Sequence, residues 1–339
     1  MKVLLTGSAG FIAGYLVNEL LEAGHEVVGL DNFSKYGEVS RTYDAHPRYR
    51  FVRGDAKDVE LLKDLCRDCD VMIASAAKIG GISYFHELAY DLIAENERIV
   101  AAEFDAAIWA HREHRLSRIV VISSSMVFES ATDFPTPEGA QFTSPPPLST
   151  YGFQKLACEY FAKGAWEQYQ LPYTICRPFN CVGIGEGRAI GDVAVTSGNV
   201  SLAMSHVLPD LVLKVVKGQD PLRLFGDGGQ IRHYTYGGDL ARGIRVCMES
   251  DKSVNEDFNL STAVGHTVLQ LAELVWNAIR PGVPFRYESD APFKYDVQKR
   301  VPDVRKARDV LGFEATTPIA SVLDEVIPWI REQIRLGAM

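Results

Sequence analysis

The chain of 339 residues carries 35 lysines and arginines against 44 aspartates and glutamates, a formal net charge of −9. That acidic balance excludes a nucleic-acid backbone or an anionic membrane as the main partner. At 47% hydrophobic and 23% charged residues the composition is that of a globular chain, large enough for one big domain or two coupled ones. No apolar run reaches the roughly 18 residues of a transmembrane helix. The opening Met-Lys-Val-Leu-Leu-Thr-Gly reads as a strand entering a glycine turn, not as a secretory leader, so a cytoplasmic location is expected. The six cysteines, at 66, 69, 158, 176, 181 and 247, are scattered as reduced thiols would be. Cys66-Arg-Asp-Cys69 has redox or zinc spacing, but no second Cys or His pair follows it, and no metal site is expected.

In chain order, residues 3–5 read as a first strand, 11–23 as a helix stopped by Gly24, and 26–30 as a second strand followed by Asp31 and Asn32. Residues 50–53 read as a third strand followed by Gly54-Asp55-Ala56, and 71–74 as a fourth followed by Ala76-Ala-Lys78. A long helical pattern covers 88–114. Residues 118–122 form a fifth strand ending in Ser123-Ser-Ser125, Pro145-Pro-Pro147 leads stiffly into a helix over 151–169, and 173–177 is a sixth strand. Short apolar strands alternating with helices predict an α/β fold, a Rossmann-type doubly wound parallel sheet covered on both faces. Beyond Pro178 the pattern loosens: a glycine-rich loop over 183–198, helices over 205–217, 267–279 and 318–335, and a short strand at 222–225. Residues 1–180 are therefore expected to form the dinucleotide-binding domain, with the chain returning to it around 230–260, and 181–339 mainly a smaller α/β substrate domain.

Gly7-x-x-Gly10-x-x-Ala13 joins the first strand to the first helix. Glycines there let backbone approach a pyrophosphate, and the N–H groups of Phe11 and Ile12 at the helix start attract its charge. Asp31 follows the second strand about twenty residues on, where a carboxylate holds the adenosine ribose hydroxyls and disfavours a 2′-phosphate. Asp55 is a candidate for the adenine amino group, with an ordinary turn aspartate the alternative. Lys78 is a candidate for a phosphate, with a solvated lysine the alternative. Asn32, Ala56 and Ala76 complete the expected cofactor surface.

Ser123-Ser124-Ser125 lies at the carboxyl edge of the sheet, where ligands of such sheets bind. A serine hydroxyl there can bond a reacting sugar oxygen and pass its proton to Tyr151. Tyr151 and Lys155, four apart on one helix, share a face, and a neighbouring lysine cation favours the phenolate a base requires. Asn180, Arg232 and Arg300 are candidates for clamping a diphosphate, against the alternatives of a turn cap for the Asn and plain surface arginines.

Thr6-Gly-Ser-Ala-Gly-Phe-Ile12, Asp31-Asn-Phe-Ser34, Tyr151 to Lys155, Arg177-Pro-Phe-Asn180, Gly226-Asp-Gly-Gly-Gln-Ile-Arg-His-Tyr234 and Arg300-Val-Pro-Asp303 together resemble the extended short-chain dehydrogenase/reductase family, in its nucleotide-sugar epimerase and dehydratase branch. The resemblance covers nearly the whole chain. It implies tightly held NAD and a nucleotide-diphosphate sugar, a UDP-sugar favoured. It also implies Ser124 as the hydroxyl, Tyr151 as the base and Lys155 on the nicotinamide ribose. Ser124 and Ser125 would meet the sugar, Asn180, Arg232 and Arg300 the diphosphate. Asn96 resembles a structural asparagine near the active site, and a homodimer would form through the helices around 88–114 and 151–169. The 4,6-dehydratases of the family usually carry an Asp-Glu pair where Ser125 and Met126 stand, and the decarboxylating members keep the Glu. The 3,5-epimerases and related reductases resemble the chain in Ala76-Ala-Lys-Ile-Gly-Gly81 but use a Cys at the Met126 position. The expected activity is an NAD-dependent 4-epimerase, an isomerase of carbohydrate metabolism acting on a UDP-hexose or UDP-hexuronate through a transient 4-keto sugar. A dehydratase, decarboxylase, 3,5-epimerase or reductase of the same family, and a non-catalytic NAD sensor, are the alternatives.

Overall fold

The structure is a computed structural model and describes residues 1–79, 88–187, 189, 195–198, 200–202, 206–292 and 297–339. Its first half alternates strand and helix: β1 (Lys2–Thr6), α1 (Phe11–Glu22), β2 (Glu26–Asp31), β3 (Tyr49–Arg53), α2 (Val59–Cys66), β4 (Val71–Ala74), α3 (Ala89–Glu113), β5 (Arg118–Ile122), α4 (Thr150–Tyr169) and β6 (Tyr173–Pro178). The second half is more broken. It holds β7 (Cys181–Val182), the antiparallel pair β8 (Val195–Ser197) and β9 (Val200–Leu202), α5 (Val207–Val216), β10 (Leu222–Phe225), β11 (Ile231–Arg232), β12 (Thr235–Tyr236) and α6 (Gly237–Glu249). It closes with β13 (Glu256–Leu260), β14 (His266–Thr267), α7 (Val268–Ile279), β15 (Tyr287–Asp290), α8 (Arg305–Leu311) and α9 (Ile319–Arg335).

Seven strands form one sheet in the order β13-β6-β5-β4-β1-β2-β3, every pair parallel. β4 and β5 are buried at every position, as strands covered on both faces must be. On one face Leu16, Leu20, Ile244 and Phe313 bring α1, α6 and the segment after α8 onto the sheet. On the other, Leu62, Phe104, Ala106 and Ala162 bring α2, α3 and α4; the alanines let α3 and α4 approach closely. A separate apolar cluster around Leu211, Leu224, Trp276, Val326 and Ile330 packs α5, β10, α7 and α9 together. Among the described residues no helix is long and apolar enough to cross a membrane.

The expected sheet and helices of the first half are present. Helices α2, α6 and α8 escape the sequence pattern, as do β13, which adds a seventh strand beside β6, and the short strands of the second half apart from β10. The glycine-rich stretch 183–198 is not all loop. Val195–Ser197 pairs with Val200–Leu202, while 188 and 190–194 lie outside the described residues. The helix expected over 205–217 spans Val207–Val216, and residue 205 is likewise outside them. Cys66 and Cys69 are buried in the core between α2 and the sheet. The Cys69 Sγ reaches the Leu65 carbonyl at 3.2 Å, and burial pushes its thiol up to about 11.

Candidate active site at the carboxyl edge of the sheet

The turns after β1, β2, β3, β4 and β5 all open at the same edge, because parallel strands point their carboxyl ends one way. Gly7 takes φ +69°, and a Cβ there would lie 2.9 Å from the Cα of Ala76, so only glycine fits. Gly10 caps α1 with no side-chain hydrogen bond, and the first turn of α1 holds no acidic residue. By contrast α2 is capped by Asp58 and α7 by a capping box at Thr267. The first N–H groups of the α1 N-terminus carry no side-chain cap and lie beside the glycine turn, where an anion can meet them. These features fit the pyrophosphate of a dinucleotide.

Asp31 ties the turn down: its Oδ2 accepts from Ala9 N at 3.0 Å and its Oδ1 from Phe33 N at 2.7 Å. A carboxylate has about four acceptor sites, so capacity for ribose hydroxyls remains. Asn32 accepts from Ser34 N at 3.0 Å and donates to Asp55 Oδ2 at 3.4 Å, which places Asn32, Asp55 and the buried Ala56 together beside the β2 end. Lys78 is exposed. Its backbone is held on both sides by Asn96, whose Oδ1 accepts the Lys78 N–H at 2.6 Å and whose Nδ2 donates to the Lys78 carbonyl at 3.0 Å. The expected structural asparagine therefore fixes the turn after β4.

Ser124 caps a short 3-10 turn, Ser125–Phe128, its Oγ accepting from Met126 N at 3.1 Å. Ser149 caps α4 by accepting from Gly152 N at 3.0 Å. Glu129 accepts from both Ser149 N and Ser149 Oγ, at 2.8 and 2.9 Å, and so clamps the start of the Tyr151 helix to the segment after Ser124. Tyr151 is buried in a small cluster with Met126 and Leu92, half-buried Ile79 against it. Lys155, also buried, donates from Nζ to the Ile122 carbonyl at 2.8 Å, at the end of the strand that carries Ser124. Ser124, Ser125, Tyr151 and Lys155 are accordingly brought together at one strand end.

Behind them lies a charged network that the sequence pattern does not reveal. Glu159 accepts from Ser123 Oγ at 2.6 Å and from Arg177 Nε and Nη2 at 2.6 and 2.7 Å; both Glu159 and Arg177 are fully buried. Arg177 also pairs with Asp257 on β13 at 2.6 Å. Burial opposes the Arg177 charge, but Glu159 and Asp257 outweigh it and hold the guanidinium firmly protonated. The Asp257 carboxyl goes down to about 2, against its own burial, because Arg177 and Lys306 flank it.

The three diphosphate candidates also converge. Arg300 Nη1 donates to Asn180 Oδ1 at 3.4 Å, Asn180 Nδ2 to the His233 carbonyl at 3.5 Å, and Arg300 N to the Ile231 carbonyl at 3.2 Å. Arg232 Nη1 donates to that same carbonyl at 2.9 Å. Asn180 sits at φ +36°, a backbone region that asparagine tolerates better than most residues. Arg41 belongs to none of the motifs. Its Nη2 donates to the Ala9 carbonyl at 3.1 Å, on the outer side of the glycine turn.

A doubly wound parallel sheet with a glycine turn at its first βα junction and an aspartate after the second strand defines a dinucleotide-binding α/β protein. The chain belongs to the NAD dependent epimerase/dehydratase family, whose sequence pattern matches residues 3–261. It is 28% identical over 345 residues to the UDP-glucose 4-epimerase of Halalkalibacterium halodurans, covering 98% of this chain and 96% of that protein. The crystal structure of UDP-glucose 4-epimerase from Thermotoga maritima with UDP-glucose superposes with a TM-score of 0.81 at 25% identity, over 98% of this chain and 100% of that one. The dTDP-glucose 4,6-dehydratase DesIV of Streptomyces venezuelae, solved with NAD bound, shares the fold with a TM-score of 0.84 at 24% identity, over 99% and 98% of the two chains. NAD is the cofactor of the family, and the uncapped α1 N-terminus and the Gly7 cradle fit it.

Proposed function

We propose that the chain is an NAD-dependent nucleotide-sugar 4-epimerase acting on a UDP-hexose or UDP-hexuronate. The observation that carries the choice is Met126. It is buried and packs against Tyr151, at the position where the dehydratases and decarboxylases this chain resembles keep a carboxylate. A thioether cannot donate the proton that expels water, and no other acid replaces it on the 3-10 turn Ser-Met-Val-Phe. The full-length similarity to a UDP-glucose 4-epimerase supports the uridine diphosphate.

In this reading Gly7, Gly10, Phe11, Ile12, Asp31 and Lys155 hold the cofactor, which when bound supplies reversible acceptance of hydride from one sugar carbon. Ser124 donates to or accepts from the reacting sugar oxygen, and Tyr151 takes and returns its proton. Asn180, Arg232 and Arg300 hold the diphosphate, so that binding energy falls on the nucleotide and the sugar stays able to turn. The burial of Tyr151 keeps water from the 4-keto sugar. We further propose a homodimer through α3 and α4. Phe153 and Tyr160 stand 48% and 56% exposed on α4 and Tyr90 75% exposed on α3, which is more apolar surface than a monomer needs there.

The test is incubation of the purified protein with a panel of UDP-, dTDP-, GDP- and CDP-sugars without added cofactor, read by liquid chromatography with mass detection. A new peak of unchanged mass supports epimerisation and identifies the sugar. A stoichiometric demand for external NAD(P)H assigns a reductase instead.

A further inference from the structure

Beside the cofactor edge α3 carries a buried ionisable group, Glu103. Its side chain is 2% exposed, and it belongs to none of the motifs. Its Oε1 lies 2.5 Å from Thr6 Oγ1, the last residue of β1 before the glycine turn. The same Thr6 oxygen accepts the N–H groups of Ser75 and Ala76, each at 3.0 Å, at the start of the turn after β4. A hydroxyl has two lone pairs and one proton. Both lone pairs are taken by the two amides, so the proton must go outward. Glu103, at 2.5 Å, receives it in preference to the Ile73 carbonyl at 3.4 Å. Oε1 is therefore an acceptor in either charge state, and a protonated Glu103 carries its proton on Oε2.

We infer that Glu103 is a positioning residue for the cofactor site. Through the Thr6 hydroxyl it locks the β1 and β4 turns together, and its protonation state sets how tightly that cradle holds NAD. The inference rests on the reading that this cradle takes the pyrophosphate. The lock is tight because Ala76 Cα would stand 2.9 Å from a Cβ on Gly7, so a small shift of one turn moves the other. Burial raises the Glu103 carboxyl to about 8, partly offset by the Thr6 hydrogen bond and by the Lys155 cation. The groups that face it are Lys155 and Cys158 on α4 and Cys66 on α2. Burial pushes the Cys158 thiol up to about 12 and that of Cys66 further, so both stay neutral while Glu103 titrates. Ionisation above about 8 places a negative charge in a buried site beneath a turn built for an anion.

The experiment is NAD affinity of the cofactor-stripped full chain, by calorimetry, as a function of pH. The wild-type chain is expected to lose affinity as pH rises through about 8. Glu103→Gln keeps the Oε1 acceptor and mimics the neutral acid, so it should match wild type below that pH and lack the fall above it. Glu103→Leu should weaken NAD by about tenfold, one hydrogen bond's worth; Thr6→Val, which also strips the acceptor from the Ser75 and Ala76 amides, should weaken it further, and the double variant should be no weaker than Thr6→Val alone. If Glu103→Gln retains the full pH dependence, or if the two losses simply add, the inference is overturned; should Glu103→Leu not fold, the Gln profile alone decides. A wild-type chain that binds no NAD at any pH would instead refute the cofactor reading itself.

Discussion

In the proposed function, removing the single hydroxyl of Tyr151 separates proton transfer from everything else the site does. Tyr151→Phe is predicted to cut turnover by about 10²–10⁴, the usual worth of a positioned general base. NAD should stay bound, because the turn, Asp31 and Lys155 are untouched; turnover and the cofactor released on denaturation check both halves. A second residue-scale prediction concerns pH. Glu103 is held near 8 in the folded chain against 4.5 ordinarily, so between those values the folded state keeps a proton the unfolded state has lost. That contribution makes stability fall as pH rises from 4.5 to about 8, then level off. The stability of Glu103→Gln relative to wild type should grow across that window and be constant above it, as urea denaturation would show.

These residues also show where the sequence is readable. Ser124, Tyr151, Lys155 and Asn180 stand out because each sits at a fixed offset from a strand end or within a helix turn, and Arg232 and Arg300 because they are basic residues of an acidic chain set in stretches that resemble the family. Glu103 does not, because its partner Thr6 is 97 positions away, and an acidic residue in a long helix reads as solvated surface. Glu129 and Ser149, 20 positions apart across an irregular stretch, are hidden for the same reason. Sequence spacing reports neighbours along one element, and these contacts cross between elements.

At the scale of elements, Arg177 stitches α4, β6 and β13 together through Glu159 and Asp257. Glu159→Ala would leave Ser123 and two guanidinium donors unpaired in a fully buried setting, and should destabilise the chain by about 3–5 kcal/mol in chemical denaturation. β1, β4 and β5 are legible because burial on both faces demands unbroken apolar runs. β13 is not: its Glu-Asp-Phe-Asn-Leu begins with two acidic residues that serve Lys306 and Arg177. α2 is only 8 residues long and offers little helical period, while α6 is hidden by Gly237, Gly238 and Gly243, which read as turn or loop. In both, tertiary packing supplies what local propensity withholds.

For the whole molecule, the proposed dimer predicts that Phe153→Glu with Tyr160→Glu yields a monomer in sedimentation velocity while the wild-type chain sediments as two copies. A wild-type monomer would remove the role given to those exposed rings. In the proposed function the chemistry of the molecule as a unit is a cycle with no net redox change, in which hydrogen leaves one sugar carbon and returns to it. That claim is tested most directly by running the reaction in D2O with UDP-glucose and UDP-glucuronate, no cofactor added, then exchanging hydroxyl deuterium back into water before mass analysis. The account predicts a new isomer of unchanged mass, free of carbon-bound deuterium. A product carrying deuterium on carbon would mean enolisation at C3 or C5, and one lighter by water or carbon dioxide would mean elimination or decarboxylation; either contradicts it.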